Sequence, residues 1–327
     1  RLRCANCHNH PLDHWTQDDY HGLAAVFARI ESGRMVTETG RGEVTHPRTG
    51  NPAVPRIPGE RFLKTTEDPR RRFAEWMTSP DNPYFARAAV NRLWKAMMGR
   101  GLVEPTDDLR VTNPASHPEL LDKLAGDFIQ HGHDIRRTLR LIALSATYAR
   151  SSQTADGAVI DDRFYSHALR RSLEPEVLAD AVCDATGVPE KYLGQPQGTR
   201  AVELFDSLIP SPALDVLGRC SRKESCEEAG AGSAGLPTKL HLLNGDFINA
   251  KLNAPEGRLR QAIADGRSVA EIVDEFYYRC LGRSPRDEER VFWKRRLGQA
   301  SEAKNREESL ADFLLSLLNC REFVTNH

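Results

Sequence analysis

The sequence predicts a mainly α protein: an irregular multi-helix domain with a small β-hairpin near the N-terminus and a helical bundle at the C-terminal end. Three observations carry that prediction. Apolar residues recur at helical spacing through most of the chain, as in FARAAVNRLWKAMM and LADFLLSLLN. Helix-start signals recur with them: Asp68-Pro69, Asn82-Pro83, Ser116-His117-Pro118, Asp134, and Ser268 with Glu271 as a capping box. A β-branched texture punctuated by Gly and Pro is confined to Gly33–Leu63.

Taken in order, TQDDYHGLAAVFARIES (16–32) reads as a helix capped by Thr16, with Asp18 and Asp19 at its positive end and an apolar stripe of Leu23, Val26, Phe27 and Ile30. A hairpin around Thr39-Gly40-Arg41-Gly42 and an extended connection follow. Helices then start at Pro69, at Pro83 with an end at Gly99 or Gly101, at Pro118, and at Asp134 running through IRRTLRLIALSATYA. Another spans Pro175 to Thr186. Residues 187–236 are the least regular, and EEAGAGSAGLP within them reads as a mobile loop, a lid or slack. Helix resumes at Pro237 in TKLHLLNGDFINAKL, then in VAEIVDEFYYRCLG, in RDEERVFWKRRL after Ser284-Pro285, and in ESLADFLLSLLN. The expected organisation is a motif-bearing segment over 1–63, a helical core over 64–186, an irregular region over 187–236 and a helical part over 237–327.

The bulk numbers exclude some classes. At 327 residues there is length for about two domains. With 45 basic and 46 acidic residues and no long single-sign block, the footprint of a nucleic-acid binder is missing. The longest apolar runs, such as LRLIALSATY, fall short of the ~18 residues a membrane span needs. Seven cysteines are too few for a disulfide scaffold. Cys220 and Cys226 are candidates for one small-loop bridge, and Cys183, Cys280 and Cys320 read as core residues. The start at Arg1, with no Met or signal peptide before a dense motif, reads as a piece of a longer protein.

That motif carries the chemistry. Cys4-Ala5-Asn6-Cys7-His8 fits C-x-x-C-H, the pattern of covalent c-type haem attachment. Two thiols three residues apart reach both vinyl groups of one haem, and the adjoining imidazole ligates the iron. Two other readings stay open: a zinc site completed by His10, His14 or a distant residue, and a disulfide or redox pair. His10, Asp13 and Trp15 are candidates for the cofactor wall, Asp13 orienting an imidazole through its second nitrogen and Trp15 covering the ring. Against that, His10-Pro11 and Asp13 suit the positioning of the next helix, and Trp15 suits the core. For the far side of the iron His46 is the choice, with His14, His21, Met35, Met77, Met97 and Met98 behind it, or the position is open.

Two further clusters carry less. In VEPTDDLR (103–110), Asp107 and Asp108 beside Arg110 read as a turn held by side-chain hydrogen bonds, with a sugar or metal loop as the alternative. In HLLNGDFIN (241–249), His241, Asn244 and Asn249 read as a buried hydrogen-bond network. A metal hydrolase built on Asp107, Asp108 and His241 has no motif behind it, and no G-x-S-x-G, Walker or G-x-G-x-x-G pattern is present.

CANCHNHPLDHWTQDDYHGLAAVFARIE resembles the C-terminal end of domain-of-unknown-function family 1549. The run from NRLWKAMM to TYARSS, with RRSLEPEVLADAVCDATGVPE and LHLLNGDFINAKLNAPEGRL, resembles family 1553. The resemblance implies large exported planctomycete proteins, often with a signal peptide and a cytochrome c domain, in a setting of polysaccharide breakdown. It also implies the pattern C-x-x-C-H-x-H-P-x-D, matched here by Cys4, Cys7, His8, His10, Pro11 and Asp13. The run after Cys226, CEEAGAGS, departs from the C-x-C-like run the resemblance leads one to expect. The expectation is a periplasmic or extracellular haem c protein in electron transfer or oxidative chemistry, with a haem-dependent oxidoreductase as the candidate enzyme class, a cytochrome domain of its parent as partner and polysaccharide as a candidate ligand. The alternative is a non-catalytic helical module that binds carbohydrate or partner domains, its Cys/His cluster holding zinc or a disulfide.

Overall fold

The computed structural model describes residues 2–33, 35–64, 66–154, 161–220, 235–298 and 303–326. The chain divides into two compact units, Arg1–Leu169 and Arg170–His327. No described helix is long and apolar enough to cross a membrane.

The first unit begins with a 3-10 turn, Leu2–Asn6, and helix α1, Gln17–Val26. Thr16 caps α1 in a reciprocal box with Asp19. The helix is shorter than its apolar stripe predicts. It stops at Phe27, and Ile30–Ser32 leaves as strand β1 to pair antiparallel with β2, Val36–Glu38. The hairpin pairs Ser32 with Val36, so its connection precedes the expected Thr39–Gly42. Gly42 instead supports a close approach: a Cβ there would sit 2.0 Å from the Ala28 carbonyl oxygen, and its φ is +128°. Gly22 allows a second one. A Cβ on it would fall 2.5 Å from Arg56 Cβ, and the Gly22 carbonyl accepts from Arg56 N–H at 3.1 Å. The extended segment is thereby laid along α1.

The rest of the first unit is four helices: α2 Pro69–Met77, α3 Phe85–Met98, α4 Pro118–Gln130 and α5 Ile135–Ala143. Asp68 caps α2 and Asp134 caps α5, while Asn82 Oδ1 accepts from the amides of Tyr84 and Phe85 ahead of α3. Gly99, at φ +84°, ends α3. α5 stops at Ala143, where Leu144 and Ser145 close turns, so the predicted run to Ala149 is cut short. Val90, Leu121, Phe128 and Ile142 fill the core between α3, α4 and α5. Each such side chain contributes roughly 1.5–3 kcal/mol on burial.

The second unit contains α6 Pro175–Thr186, α7 Pro212–Leu217, α8 Leu236–Asn244, α9 Asp246–Asn253, α10 Arg258–Ala264, α11 Val269–Leu281, α12 Asp287–Gly298, α13 Ala303–Asn319 and α14 Arg321–Val324. Its core gathers Leu214, Ile248, Ile272, Phe276, Phe313, Leu314 and Leu318. The Ser268–Glu271 capping box forms as predicted. The run after Pro237 is two helices, because Gly245 is extended and packs on His241: a Cβ there would meet His241 Nδ1 at 2.3 Å. Strands β3, Arg171–Ser172, and β4, Thr325–Asn326, pair the two ends of this unit. Cys183, Cys280 and Cys320 are free, half-buried and packed on the core. Most of EEAGAGSAGLP, and Cys226 of the expected Cys220–Cys226 bridge, lie outside the described residues.

Candidate functional site

The opening motif is built on the 3-10 turn. Cys4 lies in the turn and Cys7 directly follows it. Both thiols are exposed and free, while Ala5 between them is fully buried and anchors the turn. Helix α1 holds this turn from behind. Gln17 Nε2 donates to the Cys7 carbonyl at 2.8 Å, Gln17 N–H donates to Asn9 Oδ1 at 3.0 Å, and His21 Nε2 donates to the Asn6 carbonyl at 3.0 Å.

Each histidine's partners assign its tautomer. His8 is exposed, with Nδ1 at 2.7 Å from the Asn9 carbonyl. A carbonyl only accepts, so Nδ1 carries the proton and Nε2 keeps its lone pair. His10 is buried. Its amide donates to the Trp15 carbonyl at 2.8 Å and its Nδ1 accepts from Leu12 N–H at 3.1 Å, so it shapes the loop. Asp13 is placed against His14 rather than His8 or His10, with Oδ1 accepting from the His14 amide at 2.8 Å and lying 2.7 Å from His14 Nδ1. Trp15 is buried between His14 and Tyr84, at ring distances of 4.1 and 5.6 Å, and packs in the unit.

His46 departs from its expected role. It is buried, its Nδ1 accepts from Arg48 N–H at 3.3 Å, and its proton is therefore on Nε2, 2.9 Å from Asp18 Oδ1 without hydrogen-bond alignment. Ligating iron would require that nitrogen to lose its proton and turn from Asp18. Its ring lies 5.2 Å from His21, whose Nδ1 is buried with no hydrogen-bond partner among the described residues. Beneath them Asp19 accepts from Gly59 N–H at 3.0 Å and from Thr16. Burial alone would raise its carboxyl, but the bonds from Gly59 and Thr16 and the Arg56 charge hold it below the ordinary value.

The loop 101–113 joins this site, which spacing along the chain does not reveal. Asn91, fully buried on α3, donates to the carbonyls of Val103 and Thr106 at 2.9 and 3.0 Å and accepts from Val103 N–H at 3.0 Å. Lys95 bridges Glu104 and Thr106 at 3.1 and 3.0 Å, and Asn113 donates to the Asp108 carbonyl at 2.9 Å. On this frame the buried Asp108 binds Arg110 through two bonds of 2.6 Å. Those bonds hold the guanidinium above its ordinary pKa, and the nearby Cys4 and Asp13 add to the effect. Burial, and then the same Asp13 charge, push Tyr84 up. The positive charge of Arg110 is thus coupled to Cys4 and Asp13 of the motif.

The remaining clusters do not converge on it. His241 stacks on Phe247, and Asn249 Nδ2 donates to the carbonyl and Oδ1 of Asn244 at 3.2 Å, a local network around the Gly245 break. Asp107 and Asp108 belong to the first unit and His241 to the second. Among the described residues no group of three or more His, Cys, Asp or Glu is arranged to hold a metal ion, so a zinc site at Cys4 and Cys7 would need side chains to rearrange.

Residues 69–296 match the family model PSD1, protein of unknown function DUF1553. The chain belongs to this family. Residues 1–32 match PSCyt2, protein of unknown function DUF1549. No curated protein and no solved structure matches the chain. The two matched stretches meet inside the first unit, where the DUF1549 portion supplies the cysteines and His8 and the DUF1553 portion supplies Asn91, Asp108 and Arg110.

Proposed function

We propose that the first unit carries a c-type haem on Cys4 and Cys7 with His8 as its iron ligand, and that the protein works in electron transfer or oxidative chemistry. The observation that supports this reading is the pair of free, exposed thiols on one anchored turn, followed by an imidazole whose Nδ1 is tied to a carbonyl and whose Nε2 is left to donate. The residues fit the group on its attachment side. When bound, haem supplies one-electron redox chemistry; the chain supplies position and charge.

The Asn9 carbonyl orients His8. Arg110, held by Asp108, places positive charge beside Cys4, where it suits a haem carboxylate and favours the reduced state of a nearby centre. On the far side, His14 is a better donor than His46: Asp13 holds its Nδ1, and its side chain is 56% exposed. An exported location follows the attachment chemistry and the resemblance to exported multidomain proteins, with a cytochrome domain of a longer parent as the electron partner and polysaccharide breakdown as the setting.

The test is an optical spectrum of protein produced with haem-ligation machinery in the periplasm. A sharp α-band on reduction and a haem-stained band that survives denaturing electrophoresis are expected. A colourless protein with one bound zinc and no iron would overturn the reading in favour of a helical binding module.

A further inference from the structure

The second unit holds a cavity of about 220 Å3 walled by α6, the connection after it and the start of α10. Its charged residues are Asp180, Asp184, Glu190, Arg200 and Arg258, and all but one are answered from within. Asp180 is buried, accepts from the amides of Ala201 and Val202 at 2.7 and 3.1 Å, and lies 3.5 Å from Arg200 Nε. Arg200 Nη2 reaches Asp184 at 3.0 Å, and the buried Lys251 holds Glu190 at 2.8 Å.

Arg258 is the exception. Its Nη2 makes one long bond, 3.4 Å, to the Asp184 carbonyl, and its Nε is buried with no acceptor among the described residues. A buried donor left unpaired costs roughly 1–3 kcal/mol, and more when it is charged. The residue that ends α6 lies against this guanidinium. Gly187, at φ +72°, faces it at a distance where a Cβ would lie 3.4 Å from Arg258 Nη2.

We infer that this cavity is a binding site for a small hydroxylated oxyanion, its anionic end on Arg258 and its hydroxyls on the carboxylates of the wall. Arg258 lines the cavity with Nη2 on a single long bond, and an oxyanion offers that end of its fork further acceptors. Asp184, whose side chain is 70% exposed and meets one Arg200 nitrogen, has lone pairs left to accept hydroxyls. The volume lies below the ~300–1,000 Å3 of pockets for drug-sized ligands, which selects a small molecule. The site is independent of the haem reading.

Titration calorimetry on the whole chain with glycerate, glycerol 3-phosphate, inorganic phosphate, sulfate and, as the uncharged control, glycerol tests this. Glycerate or glycerol 3-phosphate should bind, better than the bare ions, and glycerol should not. Arg258→Gln should weaken binding by about tenfold or more without lowering the melting temperature, and Arg258→Lys, which keeps the charge and loses the fork, should fall between. Ligand should also slow alkylation of Cys183, which lines the same cavity, with Cys4 and Cys7 resolved from it by mass. That readout needs no variant. The inference is overturned if neither hydroxylated anion binds or protects Cys183, if glycerol binds equally well, or if Arg258→Lys and Arg258→Gln both bind as wild type.

Discussion

Replacing Asn91 with Ala tests how the loop that carries Asp108 and Arg110 is held. The side chain is 0% exposed and makes three bonds, two donated to Val103 and Thr106 carbonyls and one accepted from Val103 N–H. Each bond is worth about 1–1.5 kcal/mol net, and the truncation leaves the Val103 amide and two carbonyls buried without partners, so the loss should total about 3–5 kcal/mol. Asn91→Asp is nearly isosteric yet has no donors and brings a buried charge, so it should not rescue. Because the chain has two units, native-state hydrogen exchange at the Val103 amide reads the local loss directly, beside guanidinium unfolding of the whole chain. A loss below about 1 kcal/mol, or a tolerated Asn91→Asp, would refute the view that Asn91 organises this loop.

Three other outcomes follow. Gly22→Ala should destabilise the first unit by about 1–3 kcal/mol in thermal unfolding, because the new Cβ would lie 2.5 Å from Arg56 Cβ. Asp19→Asn should lose a pH-dependent stabilisation: with its folded pKa below the ordinary value, Asp19 contributes fully above the unfolded value of about 4, and the contribution fades as pH falls through the folded value. Unfolding of wild type and variant from neutral pH to pH ~2 should therefore converge at the acid end. In haem-loaded protein, His14→Ala should change the spectrum to that of an open or weakly held sixth position, whereas His46→Ala should leave the spectrum in place and lower stability.

The helical character was legible because its signals are local. Asp68, Asp134 and Ser268 cap where their spacing predicts, and Pro69, Pro118 and Pro175 open helices where a missing N–H costs nothing. The errors came where a distant contact overrides the local pattern. The end of α1 and the hairpin turn depend on Gly42 meeting Ala28, and the break after Asn244 depends on Gly245 meeting His241. In the site, the C-x-x-C-H pattern of Cys4, Cys7 and His8 is visible because five consecutive residues carry it, and the haem it points to is a proposal. Asp13 was expected beside an imidazole without a named ring, and the ring it meets is that of its neighbour His14. His46 was chosen for its place on a loop, yet its own side chain is buried, with Nδ1 accepting from Arg48 N–H and Nε2 facing Asp18 of α1. Arg110 was visible only as part of a turn; its electrostatic link to Cys4 and Asp13 comes from the fold.

The central claim is covalent haem on Cys4 and Cys7. Intact-mass analysis of the purified chain from a haem-competent periplasm tests it most directly: the account predicts one haem added to the polypeptide mass, retained after denaturation and lost in the Cys4→Ser/Cys7→Ser double variant. The bare polypeptide mass under those conditions, or a haem mass that persists in the double variant, would contradict it.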